Sequence, residues 1–138
     1  MATLINPPDL ARPIGYSHGA WGRGRVLALA GQIGWDAGSR LVSTELVPQF
    51  AQALANLTHV LRAAGGLPED LIQLRIYVTD KRRYIANARE VGRAYREQLG
   101  KHFPAMALVE VKDLLEEGAL VEIEGLAVIP DPEGGIGP

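Results

Sequence analysis

The chain has 138 residues, of which 47% are apolar and 22% are charged, with 14 basic and 16 acidic side chains. This length fits one domain with a buried core, and the composition is that of an ordinary globular protein. The net charge of −2 argues against a nucleic-acid partner, because such proteins carry a basic excess that neutralises phosphates. The absence of cysteine excludes disulfides, thiolate metal sites and a cysteine nucleophile.

Neither targeting nor membrane insertion is indicated by the sequence. Residues 1–10 have no basic start followed by an apolar run, so they do not read as a signal peptide. No stretch approaches the roughly 20 consecutive apolar residues that a membrane-spanning helix needs. The sequence therefore predicts a cytoplasmic protein without a membrane partner.

The first predicted helix covers residues 44–64. Its apolar side chains recur at three- and four-residue steps and so share one face: Phe50, Ala53, Leu54, Leu57, Val60, Leu61 and Ala64. Ser43 or Thr44 is the candidate cap at its start, and Pro48 is tolerated there only within the first turn. The glycine pair at 65–66 is expected to end the helix, since glycine adopts the left-handed cap conformation without strain.

The second predicted helix covers residues 82–99, with Asp80 as its candidate cap and Gly100 as its end. Strands are predicted at residues 26–30, 71–79, 105–111 and 120–129. This order of elements predicts an α+β fold in which both helices pack on one face of a sheet. The other face is then either solvated or used for assembly.

The last predicted strand carries two carboxylates in an otherwise apolar run. Side chains alternate across a strand, so Glu122 and Glu124 share one face, and Val121 and Ile123 lie on the other. Because glutamate is depleted in strands, this pair is not explained by propensity. Two interpretations are open: a solvated edge face, or a carboxylate that lines a cleft and orients or activates a water molecule.

Several motifs occur in order along residues 14–129. Residues 103–114 read FPA-x-x-x-VEV-x-x-L and residues 121–127 read VEIE-x-x-A. Residues 14–19, IGYSHG, are similar to an IGPYxxG motif that is one residue longer. Shorter matches are AGQ, AAG and YVTD, at residues 30–32, 63–65 and 77–80. Together these motifs resemble those of the Rid (reactive intermediate deaminase, YjgF-like) family. Residues 130–138 follow the motifs, and their proline and glycine content predicts a flexible tail.

The resemblance implies a single-layer, six-stranded mixed sheet with two helices on one face, as in the small trimeric chorismate mutases. It also implies a homotrimer with clefts at the subunit interfaces, which would give the uncovered sheet face a partner. Family deaminases hydrolyse 2-imino or 2-enamino acids to 2-oxo acids and ammonia without a metal or organic cofactor. A small imine or enamine metabolite is therefore the expected ligand.

The resemblance also implies site residues. Glu122 matches the glutamate that orients or activates water, Tyr16 matches a tyrosine of the cleft, and Gly31 matches a glycine of the cleft. Met106 stands where family deaminases carry the arginine that binds the substrate carboxylate. A thioether cannot make that charge-assisted contact. Gly92 occupies the position of an asparagine found in many members.

The methionine predicts a changed substrate choice. Losing a charged hydrogen bond costs on the order of 1.5–3 kcal/mol, which weakens binding of a simple imino acid tens- to hundreds-fold. Met106 and Trp35 are expected to make the cleft more apolar, so that it takes a larger or uncharged ligand. A nearby arginine could replace the missing one, the candidates being Arg23, Arg25 and Arg75.

Two functions remain open from the sequence. The first is a hydrolytic deaminase of imine or enamine metabolites, in a family branch with altered substrate choice. One such branch resembles 2-aminomuconate deaminase. The second is a non-catalytic homotrimer that binds a small metabolite. Glu122 favours the first and Met106 the second. No metal site is predicted, because the spacing of His18, His59 and His102 matches no metal motif.

Overall fold

The computed structural model describes residues 1–132, so most of the predicted tail at 130–138 lies outside the described residues. Six strands are present: β1 Thr3–Ile5, β2 Gly19–Trp21, β3 Arg25–Ile33, β4 Leu71–Val78, β5 Ala105–Glu110 and β6 Val121–Ile129. The helices are α1 Leu46–Ala63, α2 Lys81–Ala86 and α3 Ala88–Leu99, with a 3-10 turn at Pro68–Asp70. Within these 132 residues no helix is both long enough and apolar enough to cross a bilayer.

The main sheet has four strands in the order β3-β6-β4-β5. β6 is antiparallel to both of its neighbours, and β4 and β5 are parallel, so the sheet is mixed as predicted. The short strands β1 and β2 form a separate antiparallel pair. A single bridge from Ser17 to Ala105 continues this region alongside β5. The six strands are thus divided between two sheets, and the predicted single sheet of six is not continuous in residues 1–132.

Both long helices pack on the same face of the main sheet, which confirms the predicted α+β arrangement. The core between the two layers consists mainly of leucine, isoleucine and valine side chains, among them Leu54, Leu57, Leu61, Leu74, Val121 and Ile123. The alternation predicted for the last strand is also confirmed, since Val121 and Ile123 are fully buried under the helices. Glu122 and Glu124 consequently lie on the opposite face, which we call the open face.

The start of α1 differs from its prediction, whereas its end agrees. The cap residue is Glu45, which makes no side-chain cap bond, so the prediction of Ser43 or Thr44 was wrong. The Ser43 hydroxyl instead accepts a hydrogen bond of 2.9 Å from the Glu45 N–H and stabilises the turn before the helix. At the other end Gly65 has a φ of +88°, and the N–H of residue 66 donates to the Leu61 carbonyl at 2.9 Å.

The second predicted helix is interrupted at Asn87, and the two pieces are α2 and α3. The cap at Asp80 is confirmed, because its carboxylate accepts a hydrogen bond of 3.1 Å from the Arg83 N–H. The Asn87 side chain donates a 2.8 Å hydrogen bond back to the Arg83 carbonyl. Asparagine side chains compete with the helix for backbone partners in this way, which explains why the helix breaks here. Tyr84 therefore lies on α2, and Gly92 lies on α3.

Candidate functional site

Glu122 lies on the open face, where its side chain borders a cleft of about 180 Å³. The register of β3 against β6 shifts between Leu29 and Gln32, so that a bulge forms over residues 30–31. A methyl group added to Gly31 would lie 2.7 Å from the Glu122 carboxylate oxygen. Only glycine therefore leaves room for the carboxylate in this position. The cleft is lined by Gly31, Ile33, Trp35, Leu115, Glu116 and Glu122.

Met106 lies on the other face of the sheet. It stands opposite Leu74 in the parallel ladder, and Leu74 is fully buried beneath the helices. Neighbouring residues in register share a face, so the Met106 side chain also points toward the helices. There it lines a cavity of about 470 Å³, which we call the helix-side cavity. An adjoining cavity of about 310 Å³ shares Met106 and is bordered by Tyr16.

The segment that carries Tyr16 is fastened beside β5. The Ser17 N–H donates to the Pro104 carbonyl at 3.0 Å, and the Ser17 hydroxyl donates to the Phe103 carbonyl at 2.6 Å. The ring of His18 meets the Tyr16 ring edge-on, with a centroid separation of 5.5 Å. These contacts hold Tyr16 at the mouth of the adjoining cavity, close to Met106.

Aromatic side chains form much of the wall of the helix-side cavity. Tyr95 stacks on Phe103 with a centroid distance of 5.2 Å, and its hydroxyl donates a 2.6 Å hydrogen bond to the His102 carbonyl. Burial raises the pKa of Tyr95 far above its ordinary value and also raises the pKa of Tyr84. A phenol is uncharged near neutral pH even at its ordinary pKa, so these two side chains add no charge to the wall, which suits an apolar ligand body.

The four residues implied by the resemblance fall into two pairs on opposite faces of one chain. Gly31 and Glu122 form the open-face cleft, while Tyr16 and Met106 border the cavities on the other side. Trp35, which was expected to line the same cleft as Met106, borders the open-face cleft with Glu122. A single chain therefore does not bring the two pairs together, and we call each pair a candidate half-site.

The three arginines considered as replacements are engaged away from Met106. On the open face, an Arg75 nitrogen lies 3.8 Å from a Glu124 carboxylate oxygen. An Arg25 nitrogen lies 3.7 Å from an Asp131 carboxylate oxygen. The Arg23 guanidinium lies 5.8 Å from the centre of the Trp21 ring. None of these three arginines is among the residues that line the helix-side cavity. They do not restore a cation beside Met106 within the chain.

Arg96 is the cation that sequence reasoning missed. It lines the helix-side cavity together with Gly92 and Met106. Gly92 and Arg96 are four residues apart on α3, so they are neighbours on one helix face. A methyl group on Gly92 would lie 3.2 Å from the Arg96 guanidinium nitrogen. The sequence already showed that Gly92 replaces an asparagine found in many family members. The arginine one helical turn later was the signal that could have pointed to a cation at this position.

Two of the three histidines make hydrogen bonds through their rings. A ring nitrogen of His18 lies 2.7 Å from the Ala11 carbonyl, and one of His102 lies 2.8 Å from the Leu71 carbonyl. Across residues 1–132, no three histidine or carboxylate side chains are grouped so that they could hold a metal ion.

Comparison with known proteins identifies the family. The family model described as Endoribonuclease L-PSP matches residues 9–129. A solved structure of a conserved Rid-family protein from Yersinia pestis is 35% identical, with a TM-score of 0.83. The alignment covers 93% of this chain and 98% of that one. The chain belongs to the Rid (YjgF-like) family. This membership confirms the resemblance inferred from the motifs.

Two further relatives of this Rid protein carry informative names. A RutC family protein of Pyrococcus horikoshii is 34% identical over 128 residues, which cover 92% of this chain and 98% of the relative. The human 2-iminobutanoate/2-iminopropanoate deaminase is 31% identical over 105 residues, covering 75% of this chain and 73% of the relative. Relatives with a deaminase name thus exist at about this level of identity.

Proposed function

We propose that this Rid protein is a hydrolytic deaminase of imine or enamine metabolites, with a substrate choice altered by Met106. The observation that carries the proposal is the Glu122 carboxylate, held against Gly31 at the wall of an accessible cleft. Within residues 1–132, the ion pairs engage the acidic side chains Asp70, Glu124 and Asp131. Glu122 takes part in none of them, so its carboxylate is available for a water molecule. The deaminase name of the human relative supports this assignment.

The proposed reaction adds water to a carbon–nitrogen double bond. Glu122 accepts a proton from the water as the water oxygen bonds to the imine carbon, and it then returns that proton to the nitrogen. In the resulting carbinolamine, the hydroxyl proton moves to the nitrogen as the carbon–nitrogen bond breaks, so ammonia leaves and a carbonyl group forms. One imine and one water give one carbonyl product and one ammonia. No electrons are transferred, so this chemistry requires no redox cofactor.

The proposed site is completed by assembly into a homotrimer. Each half-site is rimmed by an apolar side chain that is strongly exposed in the single chain, Leu115 at the open-face cleft and Ile14 at the helix-side cavity. Exposed apolar residues that border a cleft mark interaction surfaces. A cleft between subunits would place Glu122 of one copy opposite Met106 of the next and cover both rims.

We expect the protein to sediment as a trimer at micromolar concentration. The burial of the open face and of both apolar rims stabilises this assembly, since apolar burial contributes about 25 cal/mol per Å². Analytical ultracentrifugation over a dilution series measures the oligomeric state. A stable monomer across that range would contradict the shared site.

The proposed activity is tested with imines that are generated enzymatically in the assay mixture. An amino-acid oxidase generates 2-imino acids from a panel of amino acids, and semicarbazide traps the imine that remains. We expect the wild-type protein to accelerate imine loss, with larger apolar substrates favoured because the helix-side cavity is wide and apolar. The control omits the protein, which gives the uncatalysed rate. Equal rates with and without the protein across the panel would reject the deaminase.

Met106 favours a second candidate, a homotrimer that binds a metabolite without turning it over. A methionine at this position offers only weak acceptor capacity and no charge. In that case the protein would bind 2-oxo acids or related compounds and leave the rate of imine loss unchanged. Binding measured by calorimetry alongside the imine assay separates the two functions.

A further inference from the structure

We infer that Arg96 binds the carboxylate of the ligand in this protein, in place of the cation that position 106 lacks. The ligand is then an acid with an apolar or aromatic body, bound between Arg96 and the Met106 side of the cavity. The inference deepens the proposed function, on which it rests for the reactive end of the ligand. Three observations carry it: the position of Arg96 at the cavity, the absence of an acidic partner for its guanidinium within residues 1–132, and the apolar lining around it.

Arg96 borders the helix-side cavity from α3 with an exposed side chain. Side chains on a helix lean toward its amino end, so Arg96 lies over the preceding turn, where Gly92 stands. The guanidinium nitrogen is 3.2 Å from the place that a side chain on Gly92 would begin. The surface over Gly92 is therefore occupied by the guanidinium, and any larger residue there would compete with it.

The Arg96 guanidinium has no acidic partner within residues 1–132. The ion pairs in this part of the chain engage the amino terminus, Arg25 and Arg75. A guanidinium carries five N–H donors in a planar fork that matches a carboxylate. Arg96 is thus free to make a bidentate contact with an incoming acid.

The surroundings of Arg96 select the rest of the ligand. Apart from Arg96, the cavity of about 470 Å³ is lined by apolar groups and aromatic rings, including Ile14, Phe50, Ile76, Val91, Tyr95 and Phe103. Ligand sites of this kind combine an apolar body pocket with a small number of charged groups that set orientation. Arg93 lies on the same helix, is exposed as Arg96 is, and is not among the lining residues, so it provides a matched control.

The decisive measurement is the preference for an acid over its uncharged analogue. Calorimetry would compare 4-phenyl-2-oxobutanoate with 4-phenylbutan-2-one, which has the same body and a methyl group in place of the carboxylate. We expect the wild-type protein to bind the acid at least about tenfold more tightly, as a charge-assisted contact provides. Arg96→Gln should abolish that ratio, whereas Arg93→Gln should keep it.

Three results would overturn the inference: a preference that survives Arg96→Gln, a preference lost equally in Arg93→Gln, or a wild-type protein that shows no preference. The Glu122→Gln variant separates this inference from the proposed function. It should keep or raise the preference for the acid, because it removes a negative charge from the shared cleft and leaves Arg96 in place. A wild-type protein that prefers the acid through Arg96 but hydrolyses no imine would reject the deaminase and leave Arg96 as the carboxylate-binding residue.

Discussion

Replacing Glu122 with glutamine is expected to lower kcat for imine hydrolysis by roughly 100-fold or more, the usual contribution of a general base. Glutamine keeps the size of the side chain and the contact with Gly31, but it cannot accept a proton from water. The rate is measured in the coupled imine assay at saturating substrate. Sedimentation of the variant should match that of the wild-type protein, since the substitution removes no apolar contact.

Glu117→Gln is the matched control for this experiment. Glu117 lies on the exposed loop before β6 and is not a lining residue of the open-face cleft. Its replacement changes the net charge by the same amount and should leave kcat unchanged. Full activity in Glu122→Gln would remove this carboxylate from the mechanism. An equal loss in both variants would point to a general effect of charge.

Introducing an arginine at Met106 is expected to raise kcat/KM for small 2-imino acids by about tenfold or more. The Met106 side chain points into the helix-side cavity, so a guanidinium there would meet a short substrate that does not reach Arg96. Recovery of about 1.4 kcal/mol of transition-state binding corresponds to tenfold. The coupled assay with the imines of alanine and 2-aminobutyrate measures the change.

Met106→Gln controls for length and polarity without charge, and it should give no gain. The expected benefit of the arginine is confined to small substrates, because larger acids already reach Arg96 in the wild-type protein. A wild-type rate on small imino acids that already matches the human relative would contradict the role given to Met106. An equal gain from glutamine and arginine would show that charge is not what position 106 lacks.

Periodic patterns in the sequence were sufficient for the main fold. The helical stripe around Leu54 and Leu57 predicted α1, and the alternation around Glu122 predicted which face of β6 meets the helices. Both features follow from a repeat of apolar residues that is independent of distant contacts. The strands β1 and β2 were missed because three residues are too few for a period, and their pairing depends on contacts formed only in the folded chain.

The site was less accessible from the sequence for two physical reasons. Motif positions name residues but not the face of the sheet on which each one lies, so the separation of Glu122 from Met106 needed the register of three strands. The importance of Arg96 depends on where its guanidinium lies relative to Gly92. Helix spacing shows that the two are neighbours, but the shared cavity is a property of the packed layers.

The break at Asn87 divides one wall of the helix-side cavity into two structural modules. Tyr84 belongs to the six-residue helix that Asp80 caps, whereas Gly92 and Arg96 belong to the separate helix that follows. The two helices are joined through the backbone of Asn87, whose N–H donates to the Arg83 carbonyl at 3.1 Å and whose carbonyl accepts from the Val91 N–H at 2.9 Å. A substitution near Tyr84 can tilt the short helix about this residue with less displacement of Arg96 than one straight helix would impose. The shape of the pocket and the position of its charge are thus set by two pieces of the wall that meet at Asn87.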